Sequence, residues 1–197
     1  MNNRSLPRIA LGLAALVALA VAAAPASAGQ LKGTFRISAG SYFRMIYPAA
    51  AKSKSKYFAN PYSTDTDKTY TLVTGGTDGG LRTGVLQAPP APAFDAKGNS
   101  LAAAIIHPTS FTGINFGLAT LGTAPSISVK AGRLSGQLIG FTAEWNKLSF
   151  KQGSSSISGT YNAKTHAYVL TWTSTISGGP FNGFTGYWHL QGKFVSN

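Results

Sequence analysis

From residue 156 to the C-terminus, apolar and polar side chains alternate with a period of two. Phe184, Gly186, Trp188, Leu190 and Phe194 interleave with Thr185, Tyr187, His189, Gln191 and Lys193. Successive Cβ atoms of a strand point to opposite faces, so such a pattern buries one face and leaves the other wet. Tyr168, Leu170 and Trp172 alternate in the same way with Val169, Thr171 and Thr173, and their aromatic and β-branched content suits a pleated surface. Asn162-Ala163-Lys164-Thr165 separates this run from Ile157–Tyr161, and Gly178-Gly179-Pro180-Phe181-Asn182-Gly183 separates it from the last one. Asn-Gly favours positive φ and tight reversal. Residues 156 to 195 therefore read as a three-stranded antiparallel meander.

The same period recurs near residue 31, where Leu31, Gly33, Phe35, Ile37 and Ala39 alternate with Lys32, Thr34, Arg36 and Ser38. Further candidate strands are Thr69–Thr74, Leu81–Gln87, Leu101–Ile106, Phe111–Leu118, Ser126–Lys130, Arg133–Trp145 and Lys147–Phe150. Ala88-Pro89-Pro90-Ala91-Pro92 reads as a surface loop, since proline cannot donate to a ladder. Tyr47 to Lys68 has no period and reads as a loop with one short helix around Pro48–Lys54. No segment after residue 28 sustains a helical apolar period. The expected class is all-β: a single antiparallel β-barrel or sandwich of about 8–10 strands, ending in the three-stranded meander. Pairing of 31–39 with 184–195 would close the sheet and remove its edges.

The N-terminus reads differently. Arg4 and Arg8 precede the apolar run Ile9–Ala23, Pro25 breaks it, and Ala26-Ser27-Ala28 follows. Charge, apolar core and a small-residue cleavage site in that order predict a secretory signal. The run is shorter than the about 20 residues of a spanning helix. The expectation is a cleaved signal peptide over 1–28 and one β-rich domain over 29–197, exported by the Sec-type route and secreted or periplasmic. The arginines are not adjacent, which gives no support to a twin-arginine signal, and no cysteine follows the cleavage motif to carry a lipid.

The chain has no cysteine, so neither disulfides nor thiolate chemistry enter. Of its 17 Lys and Arg, Arg4 and Arg8 fall in the leader; the remaining 15 face 5 acidic residues, a net of +10. Such a field favours anionic surfaces. The expected partner is an anionic polymer or polysaccharide, with no specific nucleic acid and at most peripheral membrane contact. Lys52, Lys54 and Lys56 alternate with serines ahead of Tyr57-Phe58; in an extended chain the three ammonium groups share a face.

Catalytic chemistry finds little material. The acidic residues are Asp65, Asp67, Asp78, Asp95 and Glu144, and the histidines are His107, His166 and His189. No spacing among them matches a zinc motif or an EF-hand, and no G-x-S-x-G or phosphate loop occurs, so neither metal nor cofactor is expected. Trp145, Trp172 and Trp188 read as core, whereas Tyr187 and His189 point to the wet side. The reading is an exported non-enzymatic β-domain that binds an anionic or carbohydrate envelope component through Lys52, Lys54, Lys56, Tyr57, Tyr187 and His189. The alternatives are a barrel that holds a small apolar ligand, and an enzyme using Glu144 with a histidine in a barrel pocket.

Overall fold

The computed structural model describes residues 28–46 and 70–197. The predicted signal segment up to residue 27 and the short helix around Pro48–Lys54 lie outside the described residues. The described chain is all-β, with fourteen strands: β1 (Gly29–Gln30), β2 (Gly33–Ile37), β3 (Tyr42–Ile46), β4 (Thr71–Leu72), β5 (Gly80–Arg82), β6 (Thr109–Phe111), β7 (Ile114–Thr120), β8 (Ser126–Lys130), β9 (Arg133–Gln137), β10 (Phe141–Trp145), β11 (Leu148–Lys151), β12 (Ser156–Tyr161), β13 (Ala167–Thr175) and β14 (Thr185–Ser196).

A large curled antiparallel sheet of 10 strands runs β1-β8-β9-β12-β13-β14-β2-β5, with β3 also paired to β14 and β4 to β3. A smaller sheet runs β11-β10-β7-β6. The meander predicted over 156–195 is β12, β13 and β14, with Trp172 directly opposite Trp188. The expected pairing of the first and last strands is also present, from Gly192↔Ile37 to Ser196↔Gly33. Only Leu31 and Lys32 separate β1 from β2, yet β1 pairs β8 and β2 pairs β14. The curled sheet thus returns on itself through one N-terminal segment, which reduces the edge it leaves open.

Thr83 fastens that crossover. Its hydroxyl donates to Leu31 O at 2.8 Å and accepts from Gly33 N at 3.0 Å, and it is buried. Thr83→Val keeps the shape and removes both bonds, so it should cost about 1–3 kcal/mol. The Gly33 amide should lose hydrogen-exchange protection more than the β13 amides do; uniform loss across the sheet would contradict a local fastening.

β14 also carries a bulged neighbour. From Ile37 to Tyr42 the chain advances 5 positions, while the facing strand goes only 3, from Gly192 to His189. Ser41, fully buried, fills the gap. Its hydroxyl donates to Gln191 O at 3.2 Å and accepts from Gln191 N at 3.0 Å, standing in for the missing strand partner. The bulge lets β2 and β3 share one long partner while keeping the same faces in and out.

The core lies between the two sheets and is dominated by aromatic side chains. Trp172 and Trp188 stack at 5.7 Å with planes 8° apart. Phe141 of the small sheet meets them edge-on at 5.2 and 5.3 Å. Gln152, only 2 % exposed, is the polar tie: its Oε1 accepts from Trp188 Nε1 and Ser174 Oγ, and its backbone oxygen accepts from Trp172 Nε1. A Cβ at Gly186 would overlap Ser174 Oγ and Gln152 Oε1, so only glycine fits there. Phe181, from the loop after β13, packs on Trp145 and Phe150.

Several sequence expectations need correction. Leu101–Ile106 is buried in part but forms no strand; its carbonyls accept from Gly76, Thr77 and Asp78. Phe111–Leu118 is a hairpin, turned at Thr112 and Gly113 with φ of 53° and 84°. Arg133–Trp145 splits into β9 and β10, which belong to different sheets. Only Gly80–Arg82 of the Leu81–Gln87 region and Thr71–Leu72 of Thr69–Thr74 are strand.

Candidate functional site

Because β14 alternates, its inward set (Gly186, Trp188, Leu190) is buried and its outward set (Tyr187, His189, Gln191, Lys193) reaches the outer face of the large sheet. β3 supplies the matching outward set, with Tyr42 opposite His189 and Arg44 opposite Tyr187. Tyr70, 45 % exposed, precedes β4 on the far side of Tyr42. These elements bring one aromatic and cationic cluster onto a surface whose other side is the tryptophan core.

The rings stand side by side. His189 stacks on Tyr42 at 4.9 Å with planes 11° apart, and Tyr70 lies on the other side of Tyr42 at 4.7 Å. The Arg44 guanidinium sits 4.8 Å from the centre of the Tyr187 ring, within cation–π range. The faces of Tyr42 and one face of Tyr187 are therefore occupied by neighbours, leaving phenol tips, imidazole edge and guanidinium as the groups a ligand would meet. Gln191 steadies the row: its Nε2 donates to Ala39 O at 2.7 Å, and its Oε1 is 3.1 Å from His189 Nε2. Burial pushes the Tyr42 phenol above its ordinary pKa, and Tyr187 adds to this against a smaller pull from Arg44. Tyr42 therefore remains a neutral donor at neutral pH. A surface depression of about 310 Å³ opens here between Gly40, Tyr42, Arg44, Tyr70 and Leu72.

The charge around this cluster is one-sided. Among the described residues, no strand of the large sheet contains an acidic residue, while Arg36, Arg44, Arg82, Lys130, Arg133 and Lys193 all lie on its strands. The single ion pair among the described residues is Arg82–Asp78 at 3.9 Å. Arg44 Nε is buried with no hydrogen-bond partner. Lys193 lies directly opposite Arg36, and Lys130 directly opposite Arg133. Like charges in register across a ladder weaken it, although the Arg36 guanidinium leans toward Gly79, on the far side of its strand from Lys193. A cluster of this kind can hold an anion at the guanidinium and hydrogen-bond a polyhydroxylated chain along the phenol and amide tips.

The structure treats the residues singled out by sequence unequally. Tyr187 and His189 are brought together, as neighbours on β14. Lys52, Lys54, Lys56 and Tyr57 lie outside the described residues. Tyr42, Arg44 and Tyr70 were missed, although Tyr42-x-Arg44 has the outward alternation of a strand. Trp145, Trp172 and Trp188 are core. Glu144, 2 % exposed, accepts from Thr142 and Ser149 at 2.8 Å each, on the side of the small sheet away from the core. His189 lies on the opposite outer side, and His166 bonds Tyr161. No group of three metal-ligating side chains occurs among the described residues. Between the sheets the cavity is about 30 Å³, walled by Phe43, Met45, Phe116, Trp145, Phe181 and Trp188; ligand pockets are typically about tenfold larger or more. Compared with protein-family models, curated proteins and solved structures, the chain matches none.

Proposed function

We propose that this protein is an exported, non-enzymatic β-domain that binds an anionic or carbohydrate component of the cell envelope on the outer face of its large sheet. The observation that carries the reading is the Tyr42–His189–Tyr187–Arg44 cluster on a sheet whose strands hold no carboxylate. Cations with no counter-ion among the described residues favour an anion, and a row of fixed donors and acceptors favours a ligand rich in hydroxyls. The basic run Lys52, Lys54, Lys56 with Tyr57 belongs to the same reading. It lies in the connection between Ile46 and Tyr70, and both of those ends border the cluster. Export by the Sec-type route, to the periplasm or the medium, rests on the N-terminal 28 residues; a mature protein beginning at Gly29 is the expected result of N-terminal sequencing.

Co-sedimentation of the purified protein with insoluble acidic and neutral polysaccharides tests the binding. Retention on the acidic material should fall with added salt, because exposed charges are screened within about 10 Å at 0.1 M. Replacing Lys52, Lys54 and Lys56 together by alanine should lower retention several-fold at low salt. A protein that stays in the supernatant with both materials ends the proposal.

A further inference from the structure

The outward residues of β14 and of its two partners form a continuous stripe rather than a spot. Arg44 and Tyr187 stand at one end, Tyr42 and His189 follow, then Gln191 beside the Gly40 bulge, and Arg36 with Lys193 at the other end. Tyr187 and Lys193 are six residues apart along one strand, which places the cationic ends about 20 Å from each other. The middle of the stripe carries no Lys, Arg or carboxylate and presents hydroxyl, imidazole and amide groups.

We infer, on the basis of the reading above, that the ligand is a linear acidic polysaccharide lying lengthwise along β14, its anionic groups held at both cationic ends and its hydroxyls read between them. Three observations favour this occupant. The two ends are unpaired with any carboxylate among the described residues. Arg36 and Lys193 stand in register on adjacent strands, so this end of the stripe carries two cations. The central ring faces are taken: Tyr42 lies between His189 and Tyr70, and Arg44 covers one face of Tyr187. Single-stranded nucleic acid binds through free aromatic faces on which successive bases stack, and the middle ring of this row, Tyr42, offers none. A flexible chain bearing hydroxyls and carboxylates needs only edges and cations.

The test is a length series. Oligogalacturonates of increasing length are titrated into the full protein by calorimetry, beside neutral oligosaccharides of equal length and a single-stranded oligonucleotide of equal charge. Affinity for the acidic series should rise about tenfold or more once the chain spans both ends and then level off. Arg44→Gln, and separately Lys193→Gln, should each abolish that rise while keeping a cooperative thermal melt, whereas Lys130→Gln, away from β14, should keep it. Affinity independent of length, or equal affinity for neutral chains, would overturn the lengthwise acidic track while leaving carbohydrate binding intact. Tighter binding of the oligonucleotide would replace the occupant with nucleic acid. Absence of binding to any saccharide would remove this inference and the proposed function together.

Discussion

Trp188→Ala should cost about 3–5 kcal/mol, the range for emptying a large aromatic from a packed core. Domains of this size hold a margin of only about 5–15 kcal/mol, so the variant should sit near its unfolding midpoint in mild urea. Trp188 is fully buried and packs on Phe43, Phe141 and Trp172. Its indole N–H is also one of the donors that Gln152 satisfies. The packing and polar parts of the loss can be separated. Gln152→Leu leaves Trp188 Nε1 without an acceptor and should cost about 1–3 kcal/mol. Trp188→Phe removes the donor and leaves a modest void. Joined, the two changes should cost less than the sum of the singles, because neither partner is then orphaned. Urea denaturation of the four proteins measures the cycle; strict additivity would mean that the Gln152–Trp188 bond contributes nothing. A Trp188→Ala protein as stable as the native one would contradict the packing of the two sheets.

The parts of this fold that could be read from the sequence are those where one face is buried and the other wet. β12, β13 and β14 alternate along their length, and a short turn after Tyr161 sets the register of the first pair. The middle of the chain obscures that period for identifiable reasons. β10 is buried on both faces, between the core and a covering loop, so Phe141–Trp145 runs on from β9 without a visible break. The Thr112-Gly113 reversal lies inside an apolar run, and Thr112 takes a positive φ that its side chain does not advertise. Ala102, Ile105 and Ile106 are as buried as strand residues, yet the carbonyls of Ala103, Ala104 and Ile105 accept from a glycine-rich turn rather than from a strand. The site was half legible. Tyr187 and His189 were assigned to the wet side by parity alone. Tyr42 and Arg44 belong beside them only because β3 pairs β14 across some 145 positions of sequence, after a two-residue bulge held by Ser41. Long-range register of that kind has no local signature.

Lys193→Thr should raise stability and lower affinity at once. The lysine faces Arg36 across the ladder with no carboxylate near it on the sheet, and removing one of two opposed like charges relieves about 0.2–1 kcal/mol. Threonine is also the better strand former. For a protein of this length, the melting temperature should rise by up to about 4 °C. The gain should shrink as added salt screens the repulsion. Binding of an acidic oligosaccharide that spans the stripe should weaken about tenfold, since a charge-assisted contact is among the stronger ones a surface can make. Lys130→Thr is the control. It relieves the other opposed pair, Lys130 and Arg133, which lies at the β8–β9 turn away from β14. Its melting temperature should rise in the same way, while affinity for the same oligomer is unchanged. If both variants gain stability and only Lys193→Thr loses affinity, the cation on β14 is retained at the expense of the fold because the ligand needs it. Equal affinity in the two would mean that the positive charge is generic. A Lys193→Thr protein less stable than the native one would mean that the opposed pair is not a repulsive contact.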